Sequence, residues 1–168
     1  MGGHTNIRDM LMSVGSLYIE PEGVFKSYKE DQIQEMIDEI LSADLVVGFN
    51  VINFDYVVLS HYTDKDFSAV NTVDMLFDVQ DTLGHRLKLD TIAKASLDGV
   101  KKSADGLAAL RWFKEGKIDE IIKYCEQDVA VTRDVYKHGL NEGAINYFER
   151  NGFTKRTAKI TWKERVHW

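Results

Sequence analysis

Asp55 closes the stretch Asp44-Leu45-Val46-Val47-Gly48-Phe49-Asn50-Val51-Ile52-Asn53-Phe54-Asp55, in which a short apolar run gives way to small and polar residues. Leu45 to Phe49 has the length and composition of a strand buried on both faces, as in the middle of a sheet with helices on each side. Phe54 to Tyr62 has helical spacing, so Asn50 to Asp55 falls at the carboxyl end of a central strand, on the way into a helix. In open α/β sheets that is where ligands bind. A second pair, Tyr124 and Asp128, lies four residues apart on a long helical segment and therefore on one side of it, at the margin of its buried stripe. A phenol and a carboxylate so placed can face a cleft together. Taken alone the pair says little, because a tyrosine beside an apolar stripe is usually core and an aspartate near it is usually solvated.

The elements that must position these groups follow in order. Met10 to Ile19 and Val24 to Tyr28 read as two arms of a hairpin around Pro21-Glu22-Gly23. Asp31, with Gln34 three residues on, predicts a capped helix whose stripe is Ile33, Met36, Ile37, Ile40 and Leu41. After the central strand, Val70 to Leu76 reads as another strand. Asp90 to Leu97 reads as a helix with Leu89, Ile92, Ala93 and Leu97 inward, and Gly99 to Gly106 as a loop. Leu107 to Lys114 is a short helix. Ile118 to His138 is a long one, ending at Gly139 in a left-handed cap. Ala144 to Phe148 and Thr157 to Trp162 form a hairpin around Asn151-Gly152. The order predicts one α/β domain, a mixed sheet flanked by helices, over residues 1–168: hairpin and helix in 1–43, the chemistry-bearing core in 44–139, and a C-terminal hairpin or tail in 144–168.

The chain is long enough for one domain with a core of its own. No apolar run approaches a membrane span, the N-terminus has no signal pattern, and the lone Cys125 permits no internal disulfide, so a cytoplasmic setting and no membrane partner are expected. The net charge of −6 argues mildly against a nucleic-acid partner, but its distribution argues back. Residues 1–83 carry 4 basic and 15 acidic side chains, residues 84–117 carry 8 and 4, and residues 147–168 carry 6 and 2. The two basic segments make one positive face only if the fold brings them together; otherwise they are solvated helix faces and a basic tail.

Read together, the two constellations resemble the second and third motifs of the DEDD-type 3′–5′ exonucleases, ribonuclease H-like enzymes that include polymerase proofreading domains. The tyrosine-containing branch, and family B polymerase proofreading domains within it, is the most similar. The likeness rests on Val47-Gly48-Phe49-Asn50-Val51-Ile52-Asn53-Phe54-Asp55, on Leu87-Lys88-Leu89-Asp90-Thr91-Ile92-Ala93 and on Tyr124-Cys125-Glu126-Gln127-Asp128-Val129, in consistent order from about residue 44 to 138. It implies a ribonuclease H-like fold and hydrolysis at a 3′ end, with single-stranded DNA the expected substrate. Two Mg²⁺ or Mn²⁺ ions would be about 3.5–4 Å apart. Carboxylate oxygens suit such hard cations. By resemblance Asp128 ligates the ion holding the attacking water, Asp55 supports the second ion, and Tyr124 orients the water. Asn50 and Phe54 contact the terminal nucleotide, although Phe54 reads equally well as core. Asp74 and Asp90 read as holding turns or helix starts and are not counted as ligands.

The family's first motif, aspartate-x-glutamate on the central first strand, is absent from the sequence; the nearest pattern, Asp64-Lys65-Asp66, is out of order. The hairpin at residues 10–28 resembles the second and third strands, so the first strand is expected to be missing. Two carboxylates do not easily hold two divalent ions, and a missing central strand leaves its neighbours unpaired. A late-assigned start or fragment, a strand from a partner such as a second copy, and lost catalysis with retained nucleic-acid binding each account for this. The intact motifs favour the first. A non-catalytic nucleic-acid-binding or partner-docking module is the rival reading. The C-terminal stretch, with Arg150, Lys155, Arg156, Lys159, Lys163 and Arg165 among Tyr147, Phe148, Phe153, Trp162 and Trp168, reads either as a single-strand binder or as an aromatic hairpin packed on the domain.

Overall fold

The computed structural model describes residues 12–98 and 106–162. β1 (Val14–Ile19) and β2 (Val24–Lys29) form an antiparallel hairpin with Val14 opposite Lys29 and Ile19 opposite Val24. A 3₁₀ turn at Glu30–Gln32 leads into α1 (Ile33–Ser42). The expected Asp31/Gln34 cap is not used: the Lys29 N–H donates to Gln32 Oε1 at 3.2 Å, while Gln34 Nε2 reaches the Tyr62 carbonyl at 2.6 Å. The stripe of α1 is as its spacing requires, with Ile33, Met36, Ile37 and Ile40 buried.

β3 (Val46–Gly48) pairs in parallel with β4 (Thr72–Asp74), Val47 opposite Val73 and Gly48 opposite Asp74. Successive side chains of a strand point to opposite faces. Accordingly Val46 joins a cluster with Tyr28, Ile37, Ile40, Tyr56 and Leu59, whereas Val47 joins the other cluster with Val73, Val79, Ile92, Val135 and Ile145. The thin parallel sheet thus separates two cores, which is why β3 reads as part of a continuous apolar run. Between β3 and β4 lie the motif turn, α2 (Tyr56–Leu59) and a short 3₁₀ turn at Phe67–Ala69.

After β4 come α3 (Met75–Leu83), α4 (Leu89–Ser96), α5 (Gly106–Lys114) and α6 (Ile118–Glu142). α3 has no counterpart in the sequence reading, which assigned its first residues to the preceding strand. The expected loop at Gly99 to Gly106 lies almost wholly outside the described residues. α6 packs against both β1 and β3. It runs four residues past the expected stop: the left-handed cap is Gly143, at φ +69°, and Gly139 is buried in the helix. A Cβ at Gly139 would lie 2.2 Å from Cζ3 of the fully buried Trp162, so glycine is there for close approach and not for termination. β5 (Ala144–Phe148) and β6 (Lys155–Lys159) form the last hairpin, Phe148 opposite Lys155, with β6 beginning two residues earlier than expected.

The mixed α/β arrangement is as expected, and among the described residues its strands make three two-stranded sheets, β1-β2, β3-β4 and β5-β6. No described strand joins β1 to β3, although α6 covers both and Leu17 of β1 shares a core cluster with Val46 of β3.

Candidate active site

The chain leaves β3 through a tight, non-repeating turn. Asn50 is the one described non-glycine residue with positive φ (+64°), a conformation that asparagine tolerates better than most. Val51–Asp55 then forms a single π-helical turn, with the Tyr56 N–H donating to the Val51 carbonyl. Such one-turn π segments concentrate at functional sites. Gly48 permits the fold-back, because a Cβ there would meet Val51 Cγ1 at 2.2 Å.

Asp74, at the end of β4, holds this turn in place. Its carboxylate is 1% exposed and accepts the Asn50 N–H at 2.8 Å and the Ile52 N–H at 3.1 Å. It also caps α3 by accepting the Leu76 N–H at 3.2 Å. One buried carboxylate therefore satisfies three backbone donors that have left their strands or not yet found a helical partner. The expectation that Asp74 holds a turn and helix start is met. That it fixes the Asp55 turn across 24 residues was not readable.

Asp55 lies at the end of that turn. Water reaches it, yet the protein packed around it pushes its carboxyl up to about 6, with burial the largest cause; its backbone hydrogen bond works downward and the nearby Asp74 charge upward. Asn50 and Phe54 share the turn. Phe54 is 36% exposed and Ile52 42%, so Phe54 is not core.

Tyr124 and Asp128 lie on α6, both half-buried. The Tyr124 ring meets Trp112 of α5 edge-on, with centroids 6.3 Å apart and planes at 66°. Trp112 was not singled out from sequence, since the spacing of α5 shows a helix without showing what it packs on. The Asp128 carbonyl accepts the Thr132 hydroxyl at 2.8 Å. Between them, Glu126 is fixed to the first sheet by the Ser27 hydroxyl at 2.9 Å, and Ser27 in turn bonds Ser16 at 2.7 Å. The two motifs act on Cys125: burial, then the charges of Asp128, Glu126 and Asp55, push its thiol up to about 11. Asp55 from the turn and Asp128 from the helix thus both act on the Cys125 thiol. Asp90 takes no part and forms an i,i+4 ion pair with Lys94 at 2.8 Å.

Among the described residues no group of three or more His, Cys, Asp or Glu side chains is placed to hold a metal ion. Two carboxylates and a phenol do not make the donor set of a two-ion centre.

The described chain is a mixed α/β fold in which the Asp55 turn follows the first of two parallel-paired strands and α6 carries Tyr124 and Asp128. The family model RNase_H_2, of the RNase H superfamily, matches residues 8–139, and the chain belongs to that superfamily. Its members usually hydrolyse phosphodiester bonds in nucleic acids and generally use divalent metals. No curated protein and no solved structure matches the chain. Among the described residues no helix is long and apolar enough to cross a membrane.

Proposed function

We propose that this is a nuclease domain of the 3′–5′ exonuclease kind, acting on a single-stranded 3′ end, with DNA the favoured substrate. The observation that carries the reading is the ordered turn bearing Asp55, held by the buried Asp74 through the Asn50 and Ile52 N–H groups, within the residues 8–139 that the family model matches. In this reading Asp55 and Asp128 are ligands for divalent ions, Tyr124 orients water, and Asn50 with the exposed Phe54 receives the terminal nucleotide. The two carboxylates are too few to hold two ions, so no catalytic step is derived for the described chain alone. The remaining pair would come on a strand seated between β1 and β3, from sequence outside the described residues or from a second chain. A cytoplasmic setting accords with the single half-buried thiol.

The test is release of nucleotides from a 5′-labelled single strand in Mn²⁺ by this chain, alongside Asp128→Ala and Asp55→Ala. A ladder shortening from the 3′ end that both variants abolish supports the reading. Internal cuts, shortening from the 5′ end, or a ladder indifferent to both substitutions refutes it. The absence of a metal-holding group among the described residues favours a second reading, a non-catalytic binding module. Tight binding of a 3′-ended strand without cleavage, weakened by Phe54→Ala, selects that alternative.

A further inference from the structure

Described parts of the two basic segments, residues 84–98 and 147–162, come together in the fold. α4 runs beside β5: Ser96 Oγ donates to the Asn146 carbonyl and accepts the Asn146 N–H, both at 2.9 Å, and Thr91 Oγ1 donates to the Phe148 carbonyl at 3.5 Å. The loop before α4 reaches the same end of the hairpin, where the His85 ring meets Tyr147 edge-on at 6.5 Å. This brings His85, Arg86 and Lys88 beside the hairpin tip, which carries Arg150, Phe153 and Lys155. All six are exposed, and Phe153 is 89% exposed at the turn. Across residues 84–98 and 144–162 there are seven Lys or Arg and three Asp or Glu, in a chain whose net charge is −6. Two of those carboxylates are already engaged, Asp90 with Lys94 and Glu149 with Arg156. Arg86, Lys88, Arg150 and Lys155 form no ion pair with another described residue. The aromatic residues divide as well: Tyr147 and Trp162 are core, and Phe153 alone of the three is offered to solvent.

We propose that the hairpin tip and the 84–88 loop form a binding surface for single-stranded nucleic acid, with phosphates on Arg86, Lys88, Arg150 and Lys155 and a base on Phe153. Charge against the strand's backbone selects the partner, and a solvent-facing ring among cations is the means by which unpaired bases are held without sequence preference. The surface is separate from the Asp55 turn. Its loop lies at the end of α3 away from Asp74, about 15 Å along the helix axis at 1.5 Å per residue. It therefore acts as an anchoring site for the strand whatever chemistry the candidate site performs.

The experiment is fluorescence anisotropy of the full chain with a labelled 20-nucleotide oligothymidine in EDTA across a salt series. The comparison is with Arg86→Ala/Lys88→Ala/Lys155→Ala, with Phe153→Ala, and with a control pair that sits against α1, Lys26→Ala/Lys65→Ala. Each single-strand phosphate contact contributes about 0.7 to the slope of log K against log salt, so the triple variant should lower the slope by about 2 and the low-salt affinity at least ~10-fold. Loss of a stacked base should cost Phe153→Ala roughly fivefold or more. The altered side chains are exposed, and circular dichroism checks that each variant folds. Undetectable binding by the parent, equal loss in the control pair, or unchanged slope and affinity in the triple variant overturns the proposal. So does equal affinity for a 20-base-pair duplex with no effect of Phe153→Ala. Cleavage does not enter this readout, so it succeeds or fails separately from the nuclease reading.

Discussion

Replacing Asp74 tests how the candidate site is held together. Its carboxylate is nearly inaccessible and accepts three backbone N–H groups: Asn50 and Ile52 in the motif turn and Leu76 in the first turn of α3. Each donor left without a partner costs roughly 1–3 kcal/mol, the smaller figure where water can enter. Asn50 and Ile52 are near solvent and can recover part of the loss, whereas the Leu76 bond is buried. Removing a carboxylate from the interior also returns part of its desolvation cost. Asp74→Ala is therefore expected to destabilise by about 3 kcal/mol. Asp74→Asn keeps one oxygen but turns an amide N–H toward a backbone N–H, and about 1.5–2 kcal/mol is expected. Urea unfolding should show a lower midpoint at unchanged m. Hydrogen exchange should quicken at the Asn50 and Ile52 amides in both variants, beyond what the global loss explains. If both variants unfold within about 0.5 kcal/mol of the parent and those two amides exchange as before, the three bonds do not hold the turn and the reasoning fails.

Two further predictions follow from single residues. The Asp55 carboxyl is raised in the folded chain from 3.8 to about 6, so the native state binds its proton more tightly than the unfolded state does. The stability this gives is fully present below pH 3.8 and is lost as pH rises through about 6. Asp55→Asn should flatten that part of the stability–pH curve, measured by urea unfolding at pH 4 to 7; an unchanged slope counts against a crowded Asp55. Gly139→Ala gains about 1 kcal/mol of helix propensity but drives a methyl into Trp162 at 2.2 Å and 2.6 Å, an overpacking cost of about 3 kcal/mol, so a net loss near 2 kcal/mol is expected in thermal or urea melts. A stabilised variant would mean that the ring has room to move.

The apolar run of β3 was readable because both faces of this strand are covered, Val46 toward one cluster and Val47 toward the other. The stripes of α1 and α4 were readable for the same reason, since burial follows helical spacing locally, whereas on α6 the buried residues are Ile121, Val135 and Gly139 and only Ile121 lies on the expected stripe. What escaped was decided over distance. Gly139 looks like a helix stop until Trp162, 23 residues later, fills the space above it. α3 was hidden because Asp74 both ends a strand and caps the helix, and strand and helix signals overlap over Val70 to Leu76. Asp55, Tyr124 and Asp128 were readable as candidates from type and spacing. The left-handed Asn50, the π turn and the hold of Asp74 on it were not, because they depend on bonds between segments that sequence order separates.

In the proposed nuclease reading, the carboxylates that Asp55 and Asp128 lack would come on a strand between the two half-sheets. β1 has a described partner on only one side, and so has β3. Both contact α6, and Leu17 and Val46 reach the cluster built on α1 and α2, so the layers above and below are shared. A strand inserted between them would find both faces already covered and would satisfy two rows of backbone groups at once, which compensates for leaving solvent. On such a strand residues i and i+2 point to one face. An aspartate-x-glutamate at its carboxyl end would thus place both carboxylates on one side, beside the turn that carries Asp55 and the helix that carries Asp128. The spacing of the family's first motif is in this view set by strand geometry. Supplying that strand, as a fused segment or on a second chain, should raise stability and metal affinity together, whereas a strand bearing alanine at both positions should raise stability alone.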